Sequence, residues 1–322
     1  MPGVTMIYQS YTFTIQALDT LYMPHYKGST FRGGFGNVFR KVVCVLKKEG
    51  CKDCMLKSSC IYAYIFETAP IGDCRIMNMN KYEKIPHPFI IEPPLETKKV
   101  YENDETIAFN LILIGRANDY IPYFIYAFDE LGKIGIGKGR KPYKLLTVYS
   151  ENEMIYNSQD KLIKNVPPKR LVIDKLWRWE SKEADTEATD GMELTIQFIT
   201  PVRIKFHREF AKDMPFHVLI INLLRRMLLL NYFHCEGVIP EYDPKKIIHE
   251  AQEVKTIHST IKWWDWERYS YRQKTKMMMG GLMGEITYKG NIEPFMELIK
   301  AGEVVHVGKG TGFGLGKYKI LS

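Results

Sequence analysis

Two stretches of this 322-residue chain recur in the same order, and that self-similarity limits the possible folds more than any other feature. Phe13-Thr14-Ile15-Gln16-Ala17-Leu18 returns as Leu194-Thr195-Ile196-Gln197-Phe198-Ile199, an offset of 181 residues. Pro122-Tyr123-Phe124-Ile125 opens a helical stretch leading to Ile134-Gly135-Ile136-Gly137-Lys138-Gly139-Arg140. Pro294-Phe295-Met296-Glu297 opens another, leading to Val305-His306-Val307-Gly308-Lys309-Gly310-Thr311 at an offset of about 171. Each Gly-Lys-Gly then runs into a strand, Tyr143 to Leu146 in one case and Tyr318 to Leu321 in the other. Two matches in one order point to duplication of a single domain.

Between these landmarks each half offers a helix after its first strand. The first is expected at about Ser29 to Val45, with Ser29 or Thr30 as N-cap. Its Gly33, Gly34 and Gly36 are costly in an isolated helix, so its first turn is expected to pack closely against something. The second is expected at about Phe216 to Phe233, with an apolar stripe through Leu219, Leu223, Leu224, Met227 and Leu230. Strands are expected at Thr106 to Gly115, Ile257 to Trp266 and Leu282 to Tyr288. The order β-α-β-β-α-β is that of a ferredoxin-like (RRM-like) unit, so the chain reads as α+β with two such domains in tandem. The expected divisions are residues 1–150, a polar and acidic linker at 151–190, and 191–322.

Lys and Arg outnumber Asp and Glu by 45 to 37, a net charge of +8, which is compatible with a polyanionic partner without requiring one. No run of 18 or more apolar residues suggests a membrane span, and Met1 to Ser10 has no secretory pattern, so the expected location is cytoplasmic. Four of the six cysteines fall within Cys44 to Cys60. The spacing C-x6-C-x2-C-x5-C of Cys44, Cys51, Cys54 and Cys60 favours a structural metal in an insertion at about 44–75, zinc first and a four-iron, four-sulfur cluster as the alternative. Cys74 and Cys235 read as spare thiols.

The C-terminal run from Gly308 to Lys317 places glycine at 308, 310, 312, 314 and 316, with Lys309 and Lys317 near its ends. Glycine lets backbone N–H groups approach phosphate, and lysine holds a nucleic-acid backbone without reading bases. A turn used only for packing is the competing reading. Lys138 and Arg140 form the counterpart in the first half. Trp263, Trp264 and Trp266, with Arg268, Tyr269 and Arg272, form an aromatic-basic stretch with one side free to stack bases and the other packed in the core.

Pro24 to Gly33, Ile114 to Tyr120, Trp264 to Ser270 and His306 to Gly316 together resemble the RAMP superfamily of CRISPR proteins, above all its precursor-crRNA processing endoribonucleases. The resemblance implies an enzyme that cleaves repeat RNA without a metal. The 2′-hydroxyl attacks the adjacent phosphate, leaving a 2′,3′-cyclic phosphate and a 5′-hydroxyl. It implies CRISPR repeat RNA and crRNA as partners, with other CRISPR effector subunits as further ones. A non-catalytic RAMP subunit that only holds guide RNA is the alternative.

Family members often carry a catalytic His at the start of the first helix, where this chain reads Ser29-Thr30-Phe31-Arg32. The nearest histidine, His25, is therefore the expected general base or acid. Lys27 and Arg32 are the expected phosphate electrophiles, and Tyr26 the group that positions the ribose. His306 stands second, while His234, His217 and His87 read as structural or loop residues.

Overall fold

The computed structural model describes residues 3–47, 50–51, 53–67, 85–178, 191–206, 209–235, 240–270 and 275–322. The chain divides into two units. One comprises Ile7–Lys169 with Phe233–Cys235, and the other Met1–Met6, Arg170–Tyr232 and Glu236–Ser322.

In the N-terminal unit, β1 (Val4–Ala17) leads to α1 (Gly28–Val43), followed by β2 (Phe89–Glu92) and β3 (Thr106–Ile114). Helix α2 (Ile121–Ile134), β4 (Tyr143–Ser150) and β5 (Glu153–Asn157) complete it. The sheet order is β2-β3-β1-β4-β5, with Phe13 opposite Phe109 and Ile91 opposite Leu111. The pairings of β1 with β3 and with β4 are antiparallel, and the apolar residues Tyr11, Phe13 and Ile15 alternate inward along it.

Phe31, Phe35 and Phe39 recur every four residues on α1 and are buried with Phe124 and Phe128 of α2. The Phe35 ring stacks at 5.0 Å on Phe124 and 4.9 Å on Phe128. Burying each such side chain contributes about 1.5–3 kcal/mol. Gly34 allows this approach, since a Cβ there would stand 3.0 Å from Leu131. Gly36 likewise faces Phe66, whereas Gly33 faces nothing. The α1 N-cap is Lys27, with no capping side chain, rather than Ser29 or Thr30.

In the C-terminal unit, β6 (Met192–Val202) leads to α3 (Phe216–His234), β7 (Lys255–Ser259), β8 (Lys262–Trp264) and β9 (Gly281–Gly290). Helix α4 (Met296–Val305) and β10 (Tyr318–Ile320) follow. The sheet order is β7-β9-β6-β10, with β8 also paired to β9. Ile286 lies opposite Ile196, and Lys319 opposite Gln197. Helix α3 is long and apolar enough to cross a bilayer, but 67% of that stretch is buried inside the protein, as in a core helix.

In both units the first strand lies between the two strands that bracket the second helix, and the strand after the first helix takes an outer edge beside one of them. This is the ferredoxin-like arrangement expected from the element order. The two copies also share a tyrosine anchor. Tyr143 at the start of β4 donates its hydroxyl to the Phe128 carbonyl of α2 at 2.7 Å, and Tyr318 of β10 donates to Ile299 of α4 at 2.5 Å. A glycine on each helix makes room for the ring: Gly132 beneath Tyr143 and Gly302 beneath Tyr318.

Three expectations change. Residues 151–169 belong with the first unit, because β5 pairs with β4 through Val148 opposite Tyr156. The strand expected at Ile257 to Trp266 is two short strands, β7 and β8, separated at residues 260–261. The edge strand β2 supplies the second strand that the first copy needs. Residues 68–75 of the expected insertion, Cys74 among them, and 179–190 of the expected linker lie outside the described residues.

Candidate nucleic-acid interface

The turn after α4 is built on backbone geometry that glycine adopts readily. Gly308 and Gly310 flank Lys309 at φ 83° and 81°. Lys309 donates its backbone N–H to the Arg203 carbonyl at 2.8 Å, and a Cβ on Gly308 would lie 2.5 Å from that oxygen. The N-terminal unit repeats the clasp. Gly137 and Gly139 flank Lys138 at φ 76° and 80°, and Lys138 donates to the Tyr22 carbonyl at 2.9 Å. A Cβ on Gly137 would again lie 2.5 Å from the accepting oxygen. Lys138, Arg140 and Lys309 are all exposed.

The clasp in the C-terminal unit carries charge. Past the end of β6, Val202 and Ile204 turn inward, so alternation leaves Arg203 and Lys205 on the outer side. The Arg203 guanidinium lies 4.7 Å from the Phe210 ring centre and the Lys205 ammonium 5.7 Å from it. Phe210 sits 5.9 Å from Trp263, which is 41% exposed. Partial burial, then the charges of Lys205 and Arg203, lower the Lys309 pKa from its ordinary value. Three like charges so close disfavour one another, and an anion among them relieves the repulsion. With two aromatic rings alongside, the cluster offers both phosphate contact and base stacking.

Arg203, Lys205 and Phe210 were not singled out by sequence. The available signal was the alternation Val202-Arg203-Ile204-Lys205 running past the first strand of the second copy. Of the three tryptophans, Trp263 on β8 is exposed, and Trp266, past the end of that strand, is buried. Arg272 lies outside the described residues, and nothing is described of the Arg268 and Tyr269 side chains.

The rest of the glycine run differs from the expected phosphate cradle. Gly314 donates to Thr311 and Gly316 to Pro201, while Phe313 donates to Gly310. The Thr200 hydroxyl donates to the Gly314 carbonyl and accepts the Lys317 N–H, both at 2.8 Å. Gly312, Gly314 and Gly316 are buried. These amides hold the turn together, so the part of the run that faces outward is Gly308-Lys309-Gly310.

The residues grouped around the start of α1 separate as well. His25 is exposed. Tyr26 is half-buried, and burial followed by the Glu92 charge raises its phenol pKa strongly, so it stays protonated. Lys27, expected to meet phosphate, is instead buried. Its ammonium donates to the Glu96 carbonyl at 2.7 Å and lies 5.8 Å from the Tyr101 ring centre. Burial lowers its pKa, partly offset by Glu96. Arg32 stacks over Phe66 at 5.4 Å and Phe89 at 5.8 Å.

His306 is fully buried, with Nδ1 3.0 Å from the Leu315 carbonyl, and its φ of 60° shapes the turn. His234 is buried between the Tyr64 hydroxyl and the Pro86 carbonyl, a structural setting.

A family model named AF_1859_N and described as an N-terminal domain matches residues 5–168. The model for the CRISPR-associated endoribonuclease Cas6 matches residues 196–318. Residues 196–318 thus carry a domain of the Cas6 family. The chain belongs to the AF_1859_N family, whose model covers its first half.

An uncharacterized protein of Archaeoglobus fulgidus is 23% identical over 309 residues, 94% of this chain and 93% of that protein. Among solved structures, a Cas6 product complex matches with a TM-score of 0.55 at 15% identity, over 98% of this chain and 100% of the other. A Thermus thermophilus Cas6 matches with a TM-score of 0.53 at 14% identity, over 98% and 99%. At these identities the structures share the fold with this chain.

Proposed function

We propose that this chain cleaves CRISPR precursor RNA within its repeats, without a catalytic metal, to yield guide crRNA. The observation that carries the reading is the convergence of Arg203, Lys205 and Lys309 beside Phe210 and Trp263, in a chain that carries a domain of the Cas6 endoribonuclease family. Three cations there hold the ribose-phosphate strand, and the two rings stack on bases.

In this reading His25 takes the proton of the 2′-hydroxyl or gives one to the departing 5′-oxygen. Tyr26, kept neutral by its raised pKa, donates a hydrogen bond to the ribose or phosphate. With Lys27 buried, Arg32 is the cation assigned to the charge that develops on phosphorus. Lys27 drops out of the reacting set and becomes the residue that ties the chain before α1 to Glu96.

The test is incubation of the chain with repeat RNA in excess chelator, followed by analysis of the new ends. A 2′,3′-cyclic phosphate paired with a 5′-hydroxyl supports the reading, and intact RNA rejects it. A second reading, an RNA-binding RAMP subunit without catalysis, draws on the burial of Lys27 and His306, which removes two of the charged or titratable groups a nuclease site would use. Tight, salt-sensitive binding of RNA that stays intact would favour it.

A further inference from the structure

The four clustered cysteines play no part in the RNA reading, yet they surround one space. Cys44, Cys51, Cys54 and Cys60 line a single cavity of about 20 Å³ together with Leu46, Lys57 and Ala63. Cys44 is the C-cap of α1, and Cys60 is the N-cap of the short helix Ile61–Phe66. All four are half-buried free thiols. Arg40, Glu67, Cys60 and Cys44 all lie near enough to Cys51 to act on it electrostatically. No three Cys, His, Asp or Glu side chains among the described residues are already gathered as a ligand set.

We propose that Cys44, Cys51, Cys54 and Cys60 bind one zinc ion as four thiolates and so fix the end of α1 to the helix Ile61–Phe66. Zinc accepts four sulfur ligands in a closed tetrahedron, and the Cys51-x2-Cys54 pair grips it from one turn. The space suits a single ion, since about 10–15 Å³ of such volume already holds a water-sized sphere.

Binding exchanges four thiol protons for one divalent cation and leaves the site with two net negative charges. Lys57 on the cavity wall and Arg40 near Cys51 offset them. The clamp reaches the candidate RNA-cleaving residues through packing. Phe66, at the end of the clamped helix, lies against Phe35 and Phe39 of α1 and beneath the Arg32 guanidinium. Zinc is thereby placed in a positioning role, remote from the reacting atoms.

The test uses the whole chain and needs no RNA, so its outcome is separable from the nuclease reading. Metal content is measured on chain purified without chelator, and cobalt uptake on chain stripped of metal. The expected results are one zinc per chain and a cobalt spectrum with thiolate charge-transfer and tetrahedral bands that vanishes on adding zinc. Cys54→Ser is expected to weaken zinc retention by more than about tenfold, while Cys235→Ser leaves the metal content unchanged. Because the cobalt spectrum is read on the unaltered chain, a misfolded variant does not blur the outcome. Thiols that react equally fast with and without zinc, no cobalt spectrum, or iron with acid-labile sulfide would each overturn the assignment.

Discussion

Lys309 and Arg203 are joined main chain to main chain, N–H to carbonyl at 2.8 Å, and this bond places the lysine of the glycine turn beside the cations after β6. The Lys138–Tyr22 pair in the other unit has the same donor, the same flanking glycines and a 2.9 Å distance. The partners are offset by 181 residues on one side and 171 on the other, the offsets of the two sequence repeats. The clasp therefore recurs at the same place in both copies, and in the second it stands beside Arg203 and Lys205.

Gly308→Ala is expected to damage the clasp twice. A left-handed φ costs a non-glycine residue about 1–2 kcal/mol, and the new Cβ would press on the Arg203 carbonyl. Urea denaturation should show a loss at or above that range, accompanied by weaker RNA binding. Gly139→Ala provides the contrast, because its Cβ meets only the Lys141 side chain at 3.9 Å. It should show the strain alone; equal losses in the two variants would argue against the clasp.

Removing Arg203, Lys205 or Lys309 by substitution with alanine is expected to weaken RNA binding with little change in sequence preference. For every phosphate deprived of its cation, the slope of log affinity against log salt becomes shallower by about 0.7 on a single strand. Titrations at several salt concentrations measure it. A slope that does not move in any of the three variants would place the RNA elsewhere.

The two leading histidines should respond differently to alanine. His25→Ala is expected to reduce single-turnover cleavage by about 10²–10⁴-fold while leaving affinity and stability near those of the unaltered chain. His306→Ala removes a buried partner of the Leu315 carbonyl, so its expected effect is a lower thermal midpoint and looser RNA binding. Full cleavage by His25→Ala would eliminate that residue as acid or base.

Alkaline pH is expected to destabilise the fold. Burial, aided by the Asp119 charge, raises the Tyr11 pKa from 10.0 to about 12. Tyr143 and Tyr318 are raised well above the ordinary value by burial. A pKa raised in the folded state gives stability that is complete below the unfolded value and declines as pH climbs toward the folded one. For Tyr11 the window runs from pH 10 to about 12, with about 2–3 kcal/mol at stake. Lys27 works in the opposite sense, since its lowered pKa makes its burial less unfavourable as pH rises. Denaturant midpoints across this range decide the balance, and a flat profile would contradict it.

The duplicated fold was readable because it was written twice: Phe13 to Leu18 and Leu194 to Ile199 became the paired central strands. Polar composition hid β5, where Met154-Ile155-Tyr156 was the only apolar cue. The short edge strand β2, Phe89–Glu92, carries too few residues for alternation to show. In the site, Lys27 stood in a polar, aromatic run that gave no warning of a buried ammonium held by a carbonyl from 69 residues away. The amides of Gly314 and Gly316 were misjudged for a related reason, because their acceptors lie at Thr311 and Pro201, and Pro201 is far away in the chain.

The self-bonded framework from Thr311 to Lys317 bears on the thermodynamics of capture. A floppy glycine loop would have to surrender its conformational freedom whenever a strand settled on it. Here that ordering was completed during folding. Association is thus expected to carry only a small entropic penalty from the protein side, so that differences among RNA partners are dominated by how fast they leave rather than how fast they arrive.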